Sequence, residues 1–197
     1  MSIDIEYFGM LDDMGTDLGL FETDPLIQEP VSAIKYLSRK EKLKSFMCPA
    51  LNDYLKNVYY IPSPLDFTIE RDGNKARIIN DKDHRSDISR FLFLGYPDPI
   101  TLDDVPMITL HLQYIFVNNG DDITMEVIDP PLIPKLLTNV CGEFNISKWI
   151  RPTNFSFYLH PECNSVTFKR GEPLYAVKFR TKKNINLLEI TDDEKRK

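Results

Sequence analysis

The feature that most constrains the fold of this 197-residue chain is a set of short segments in which apolar and polar residues alternate. The clearest is 108–116, and 155–159 repeats the same pattern. Because successive side chains of a strand point to opposite faces of a sheet, a period of two predicts strands with one buried face. Turn-forming sequences at 72–74 (Asp-Gly-Asn) and 118–122 (Asn-Asn-Gly-Asp-Asp) separate further alternating segments. Each of these turns predicts a hairpin.

Two segments near the start have a helical pattern instead. The apolar residues of 31–46 recur at helical spacing, and a second short helix begins at Pro49, which suits a first helical turn, and ends near Asn57. Eight to ten short strands with proline-rich connections surround this helical insertion, 31–57. We therefore expect a mainly β protein, a β-sandwich or jelly roll, with one or two short helices near the N-terminus.

Charge divides the chain unevenly. Residues 1–29 hold eight acidic side chains and no basic one, together with many apolar residues. This composition predicts an acidic arm over 1–29, a β domain over 30–190 and a charged tail over 191–197. The arm packs either on its own domain or on a neighbouring chain. In the second case the expected partner-contact residues are Tyr7, Phe8, Leu20, Phe21 and the lone tryptophan, Trp149.

Trp149 has two interpretations. It lies between predicted strands, where it would be an exposed aromatic anchor for a partner or would fold back over the edge of the core. Segment 169–183 contains six basic residues and a single acidic one, Glu172. A molecule with an acidic arm and a basic end suits contacts between copies, so a homo-oligomer is one expected form of protein binding.

Composition and the first residues argue against several classes of partner and location. The 24 basic and 30 acidic residues give a net charge of −6, which argues against nucleic-acid binding. No run of 18 apolar residues occurs, so we expect no membrane span. The first residues lack the basic and apolar regions of a signal peptide, and three scattered cysteines predict no disulfide framework.

Sequence motifs for catalysis are missing. A dinucleotide-binding GxGxxG, a phosphate-binding loop and a GxSxG nucleophile elbow are all absent, so we predict no catalytic residues and no cofactor. One alternative is a cupin-like metal-dependent oxygenase, whose ligands would come from His84, His111, Glu126 and His160. Strand phase argues against it, because His111 and His160 fall on the polar phase of their strands.

A second alternative is a carbohydrate- or ligand-binding module. Its stacking platforms on an open sheet face would be Tyr59, Tyr114, Tyr158 and Trp149. This alternative requires these aromatic rings to share one exposed surface.

Three short motifs carry a resemblance to a known family. They are 48–51 (Cys-Pro-Ala-Leu) followed by 60–62 (Tyr-Ile-Pro), then 128–131 (Ile-Asp-Pro-Pro), and 168–174 (Phe-Lys-Arg-Gly-Glu-Pro-Leu). Over 30–182 the chain resembles a poorly characterised family of small β-rich proteins of tailed phages and some bacteria. The resemblance implies a compact β-sandwich of phage-type origin, located in the host cytoplasm or in the virion. It supplies no catalytic residues.

These observations favour a non-enzymatic β-sandwich protein that acts through protein–protein contacts. In the phage setting it would be a virion component or an accessory protein that binds a host factor.

Overall fold

Thirteen strands in three sheets account for most of the described chain, which confirms the mainly β, sandwich-like prediction. The computed structural model describes residues 2–9, 48–63, 66–73, 75–79, 92–97, 106–133 and 136–190. Within these ranges there is one helix, α1 (Pro49–Leu55), which is the second of the two predicted helices. It ends where Asn57 adopts a positive φ of 57°. The predicted helix over 31–46 and the tail 191–197 lie outside the described residues.

The first sheet has six strands and contains both of the clearest alternating segments. Its order is β13-β1-β6-β10-β8, and β5 also pairs with β6. The strands are β1 (Ser2–Gly9), β5 (Leu92–Pro97), β6 (Pro106–Val117), β8 (Leu137–Asn139), β10 (Pro152–Leu159) and β13 (Asn184–Glu189). All pairs are antiparallel except β1 with β13, which is parallel.

Two smaller sheets form the other side of the structure. The second sheet has the order β2-β12-β7-β9 and the third has the order β11-β3-β4. The second comprises β2 (Val58–Pro62), β7 (Thr124–Ile128), β9 (Gly142–Asn145) and β12 (Pro173–Arg180). The third comprises β3 (Phe67–Asp72), β4 (Lys75–Ile79) and β11 (Ser165–Phe168).

The same two stretches of chain contribute strands to both the second and the third sheet. β2 and β3 lie on one stretch and pair with β12 and β11 of the other, which runs in the opposite direction. Where the two stretches pass from one sheet to the other, two backbone hydrogen bonds join them. The amide of Ser63 donates to the Glu172 carbonyl at 2.7 Å, and the Gly171 amide donates to the Ser63 carbonyl at 2.8 Å. The φ of Gly171 is +81°, a conformation that glycine adopts readily at a turn because it has no Cβ.

Aromatic side chains join the first sheet to the other two. Phe116 of β6 lies edge-on to Phe179 of β12 with ring centroids 5.7 Å apart. Phe157 of β10 meets Phe168 of β11 at 6.0 Å. These contacts lie in one buried cluster that draws residues from all three sheets, so the core is the space between the first sheet and the other two. In the alternating segment 108–116, the apolar residues Ile108, Leu110, Tyr114 and Phe116 are buried there.

The first strand, β1, falls within the predicted acidic arm and is part of the first sheet. β1 lies between β13 and β6, and its alternate side chains Ile3, Ile5 and Tyr7 are buried in the common core. The acidic residues Asp4 and Glu6 occupy the opposite phase of the same strand. Residues 2–9 therefore form an interior strand of the domain, while the rest of the predicted arm, 10–29, lies outside the described residues.

Candidate binding site around Trp149

Trp149 is held by a tight turn that follows β9. The carbonyl of Asn145 accepts from the Trp149 amide at 2.9 Å and from the Lys148 amide at 3.3 Å. The Asn145 side-chain oxygen accepts from the Ser147 amide at 2.9 Å. Asp122 fastens the turn to the preceding hairpin by accepting from the side chains of Asn145 and Lys148. These bonds fix the position of the tryptophan backbone.

The Trp149 ring combines features of both sequence interpretations. It meets the Phe144 ring edge-on at a centroid distance of 6.2 Å, and Phe144 packs against the core. However, 55% of Trp149 and 61% of Ile150 remain exposed. An exposed tryptophan beside an exposed isoleucine is apolar surface that a partner could cover.

Arg151 completes an aromatic–cation cluster with these rings. Its guanidinium carbon lies 4.7 Å from the Trp149 ring centroid and 5.6 Å from the Phe144 ring centroid. Cation–π attraction holds the guanidinium over the two rings. Within the described part of the chain, no carboxylate forms an ion pair with Arg151. The guanidinium is therefore held over the two rings, and no carboxylate of the described residues neutralises its charge.

A groove of about 260 Å³ runs beside this cluster. β8 pairs only with the last three residues of β10. The first half of β10, in the first sheet, and β9, in the second sheet, therefore border an opening between the two layers. The opening is lined by residues of β7, of β9 with the connection before it, and of β10 with the Trp149 turn and Arg151 before it: Val127, Val140, Gly142, Glu143, Phe144, Trp149, Arg151, Pro152, Thr153, Asn154 and Ser156.

Two buried polar side chains at this side of the sandwich lack hydrogen-bond partners. The hydroxyl of Thr153, which lines the groove and is 2% exposed, has no partner in the described structure. The same holds for both polar atoms of the Asn139 side chain in β8. An unpaired buried polar group is unfavourable by about 1–3 kcal/mol, so its presence needs a reason.

Of the predicted partner-contact residues, the structure shows Trp149 exposed and Tyr7 buried. Tyr7 is 9% exposed, and its ring lies 6.2 Å from that of Phe116 in the core. The Phe8 side chain, Leu20 and Phe21 lie outside the described residues. Sequence reasoning did not select Phe144 or Arg151, because their contact with Trp149 depends on the turn after β9.

The candidate metal ligands that can be placed lie on different sheets. Glu126 is in β7 of the second sheet, where it forms an ion pair with Arg180. His160 follows β10 of the first sheet, and its ring nitrogen Nε2 lies 3.1 Å from the Thr138 hydroxyl oxygen. His84 and the His111 side chain lie outside the described residues. Among the residues with described side chains, no three His, Cys, Asp or Glu residues are grouped so that they could hold a metal ion.

The four rings predicted as sugar platforms do not share a surface. Tyr59 and Tyr114 are buried, and the Tyr59 hydroxyl donates to the Ile185 carbonyl at 3.0 Å. Burial, reinforced by Tyr7 and Glu189, raises the pKa of Tyr114. The requirement for one exposed aromatic surface is therefore not met.

The basic end of the molecule is largely paired within the chain. Lys183 forms an ion pair with Asp121 at 3.1 Å, while Arg180 pairs with Glu126. The Lys178 ammonium donates to the Tyr54 carbonyl at 2.7 Å and lies 4.3 Å from the Tyr54 ring centroid. Burial and the nearby Arg180 lower the pKa of Lys178. These contacts leave less charge available to a partner than the sequence alone indicates.

Comparison with known proteins yields no relative: no family model, curated protein or solved structure matches this chain. Within the described ranges, no helix has the length and apolar character needed to cross a membrane.

Proposed function

We propose that this protein is a non-enzymatic binding protein and that it contacts another protein through the surface formed by Trp149, Ile150 and Arg151. The observation that carries the proposal is the exposure of the lone tryptophan beside a groove, with a guanidinium stacked on its ring. Tryptophan and arginine are the residue types most enriched among side chains that dominate binding energy at protein interfaces.

The supporting feature is rigidity. The turn after β9 fixes the backbone of Trp149, and Phe144 supports its ring from the core side. A side chain that is already ordered loses less conformational entropy when a partner covers it. In line with the phage-type resemblance, the partner is a virion protein, a host factor or a second copy of this chain.

The test is affinity capture with the intact, immobilised protein from a lysate of the source cells. We expect wild type to retain a specific protein that Trp149→Ser fails to retain. Tyr54→Ser is the matched control, because Tyr54 is also aromatic and half exposed, but lies on α1 away from the groove. Equal retention by Trp149→Ser and wild type would contradict the proposal.

Self-association needs a separate measurement. Sedimentation velocity of wild type and Trp149→Ser at several concentrations shows whether a second copy is the partner. An oligomer that persists in Trp149→Ser would place the contact between copies on another surface.

A further inference from the structure

We infer that the groove between β9 and β10 binds an extended segment of the partner, in which a single carboxylate lies next to an apolar side chain. This inference rests on the proposed function and specifies the chemistry of what is bound. It follows from the charge at one end of the groove, from its volume and from the strand that borders it.

The charge at the Trp149 end selects a carboxylate. Arg151 is held over two aromatic rings and has no ion-pair partner in the described structure. The planar guanidinium matches a carboxylate through two parallel hydrogen bonds, and charge-assisted bonds of this kind are about twice as strong as neutral ones. An apolar neighbour of that carboxylate would cover the exposed face of Trp149, which also lines the groove.

Glu143 limits how much negative charge the segment can carry. This exposed residue of β9 also lines the groove. A uniformly acidic segment would meet repulsion there, whereas the charge of one carboxylate placed beside Arg151 would be offset by the guanidinium. The groove therefore fits a segment with one carboxylate at a defined position rather than a polyanion.

The volume and the border of the groove fit an extended chain. About 260 Å³ is below the usual range of small-molecule pockets, roughly 300–1,000 Å³, and accommodates one or two side chains. β9 is the edge strand of its sheet in the described structure. An extended segment can add to such an edge by main-chain hydrogen bonds while its side chains enter the neighbouring groove.

The experiment selects ligands from a random library of 12-residue peptides on the intact protein. Binding of synthetic, tryptophan-free copies to wild type and variants is then measured by isothermal titration calorimetry. In proteins that retain Trp149, the only tryptophan of the chain, fluorescence also reports on the groove directly. We expect selected peptides to carry Asp or Glu next to an apolar residue. Replacing that acid by Asn or Gln should weaken binding about 10- to 100-fold, and Arg151→Gln should weaken it similarly. Arg151→Lys should fall between wild type and Arg151→Gln, because a lysine retains the charge without the planar fork.

Arg77→Gln is the matched control, since Arg77 is an exposed arginine of β4 that pairs with Glu70 in the third sheet. It should leave peptide binding unchanged. The amide-substituted peptides use unaltered protein, so the carboxylate requirement remains testable even if an Arg151 variant folds poorly.

The outcomes separate this inference from the proposed function. Peptides that require Trp149 but tolerate both Arg151→Gln and loss of their carboxylate would overturn the inference and leave the proposed function intact. A library that yields no Trp149-dependent peptide would also overturn it, while the capture experiment decides the proposed function independently. Self-association that Arg151→Gln abolishes would support the inference, with a second copy as the source of the segment.

Discussion

Phe155 of β10 and Tyr175 of β12 stack in the core with ring centroids 5.2 Å apart and 14° between their planes. The pair joins the first sheet to the second. The Tyr175 hydroxyl is fully buried and has no hydrogen-bond partner in the described structure. Burial, with a smaller effect of Tyr114, raises its pKa well above the ordinary value. The ring therefore stabilises the core, while the hydroxyl adds nothing to its stability.

Tyr175→Phe should keep or increase the free energy of unfolding, because it removes an unpaired buried hydroxyl while retaining the stacked ring; we expect a gain of about 1 kcal/mol. Tyr59→Phe is the matched control, since it removes a hydroxyl that donates to the Ile185 carbonyl. That variant should lose about 1 kcal/mol. Urea unfolding of both variants measures the difference, and a large loss in Tyr175→Phe would show that its hydroxyl has a partner.

Ile5→Ala should lower the free energy of unfolding by about 2–5 kcal/mol, because Ile5 is fully buried in the common core. Ile150→Ala is the matched control, since Ile150 is 61% exposed, and it should change stability by less than about 0.5 kcal/mol.

Deleting residues 2–9 should abolish cooperative unfolding, because β13 and β6 would both lose a neighbour. A stable protein after that deletion would support the predicted boundary at residue 30.

Local patterns predicted the strands whose side chains alternate over many residues. β6 and β10 were recognised because their inward residues are almost all apolar. β1 has the same alternation at Ile3, Ile5 and Tyr7, but it lies in a stretch, 1–29, whose strongest sequence feature is its acidic composition. Its parallel pairing with β13, 182 residues away, depends on the whole fold and has no local signal. β8 and β9 were missed because three- and four-residue strands are too short to show a period.

The candidate site was predictable only in part. The position of the lone tryptophan between strands leaves two interpretations open, an exposed anchor and a ring folded over the core edge. The structure shows 55% of Trp149 exposed and its ring edge-on to Phe144. Phe144 and Arg151 join it because the turn at 145–149 folds the chain back on itself. The sequence does contain a local signal for this cluster, namely an aromatic residue, then a turn sequence and then Trp-x-Arg. The groove itself arises because β8 stops short of the start of β10, which no local pattern encodes.

Gly171→Ala should destabilise the protein by about 1–2 kcal/mol, because a residue with a Cβ is strained at a φ of +81°. The space around the position is open, so backbone strain is the whole effect. Gly142→Ala is the matched control, since its surroundings are equally open and its φ is not positive. Thermal unfolding of the two variants separates strain from crowding. Equal effects would show that the turn between β11 and β12 adapts to an ordinary residue.

Protein purified without a metal-affinity tag should contain less than roughly a tenth of an equivalent of iron, manganese, zinc or nickel, because a resident site binds near one equivalent. The physical reason is that Glu126 and His160 lie on different sheets and already have partners within the chain. Plasma mass spectrometry before and after reconstitution measures the content. Near one equivalent that is lost in His111→Ala or His160→Ala would support the cupin-like alternative.

Acid should loosen the turn that holds Trp149 before it unfolds the domain. Hydrogen bonds from Asn145 and Lys148, and the charge of Lys148, lower the pKa of Asp122 below its ordinary value of 3.8. A carboxyl whose pKa is lowered by folding stabilises the structure above its unfolded pKa and loses that contribution as pH falls through the folded pKa. The wild-type Trp149 emission should therefore be constant above pH 4 and change on acidification below it.

Asp122→Asn supplies the comparison for this pH profile. It removes the titrating group, so its Trp149 emission should already differ from wild type at pH 7 and should lack the acid-dependent step. Far-ultraviolet circular dichroism recorded on the same samples separates a local change at the turn from unfolding of the sheets. An acid-dependent step of equal size in Asp122→Asn would assign the transition to another group and would remove Asp122 as the residue that fastens the binding surface.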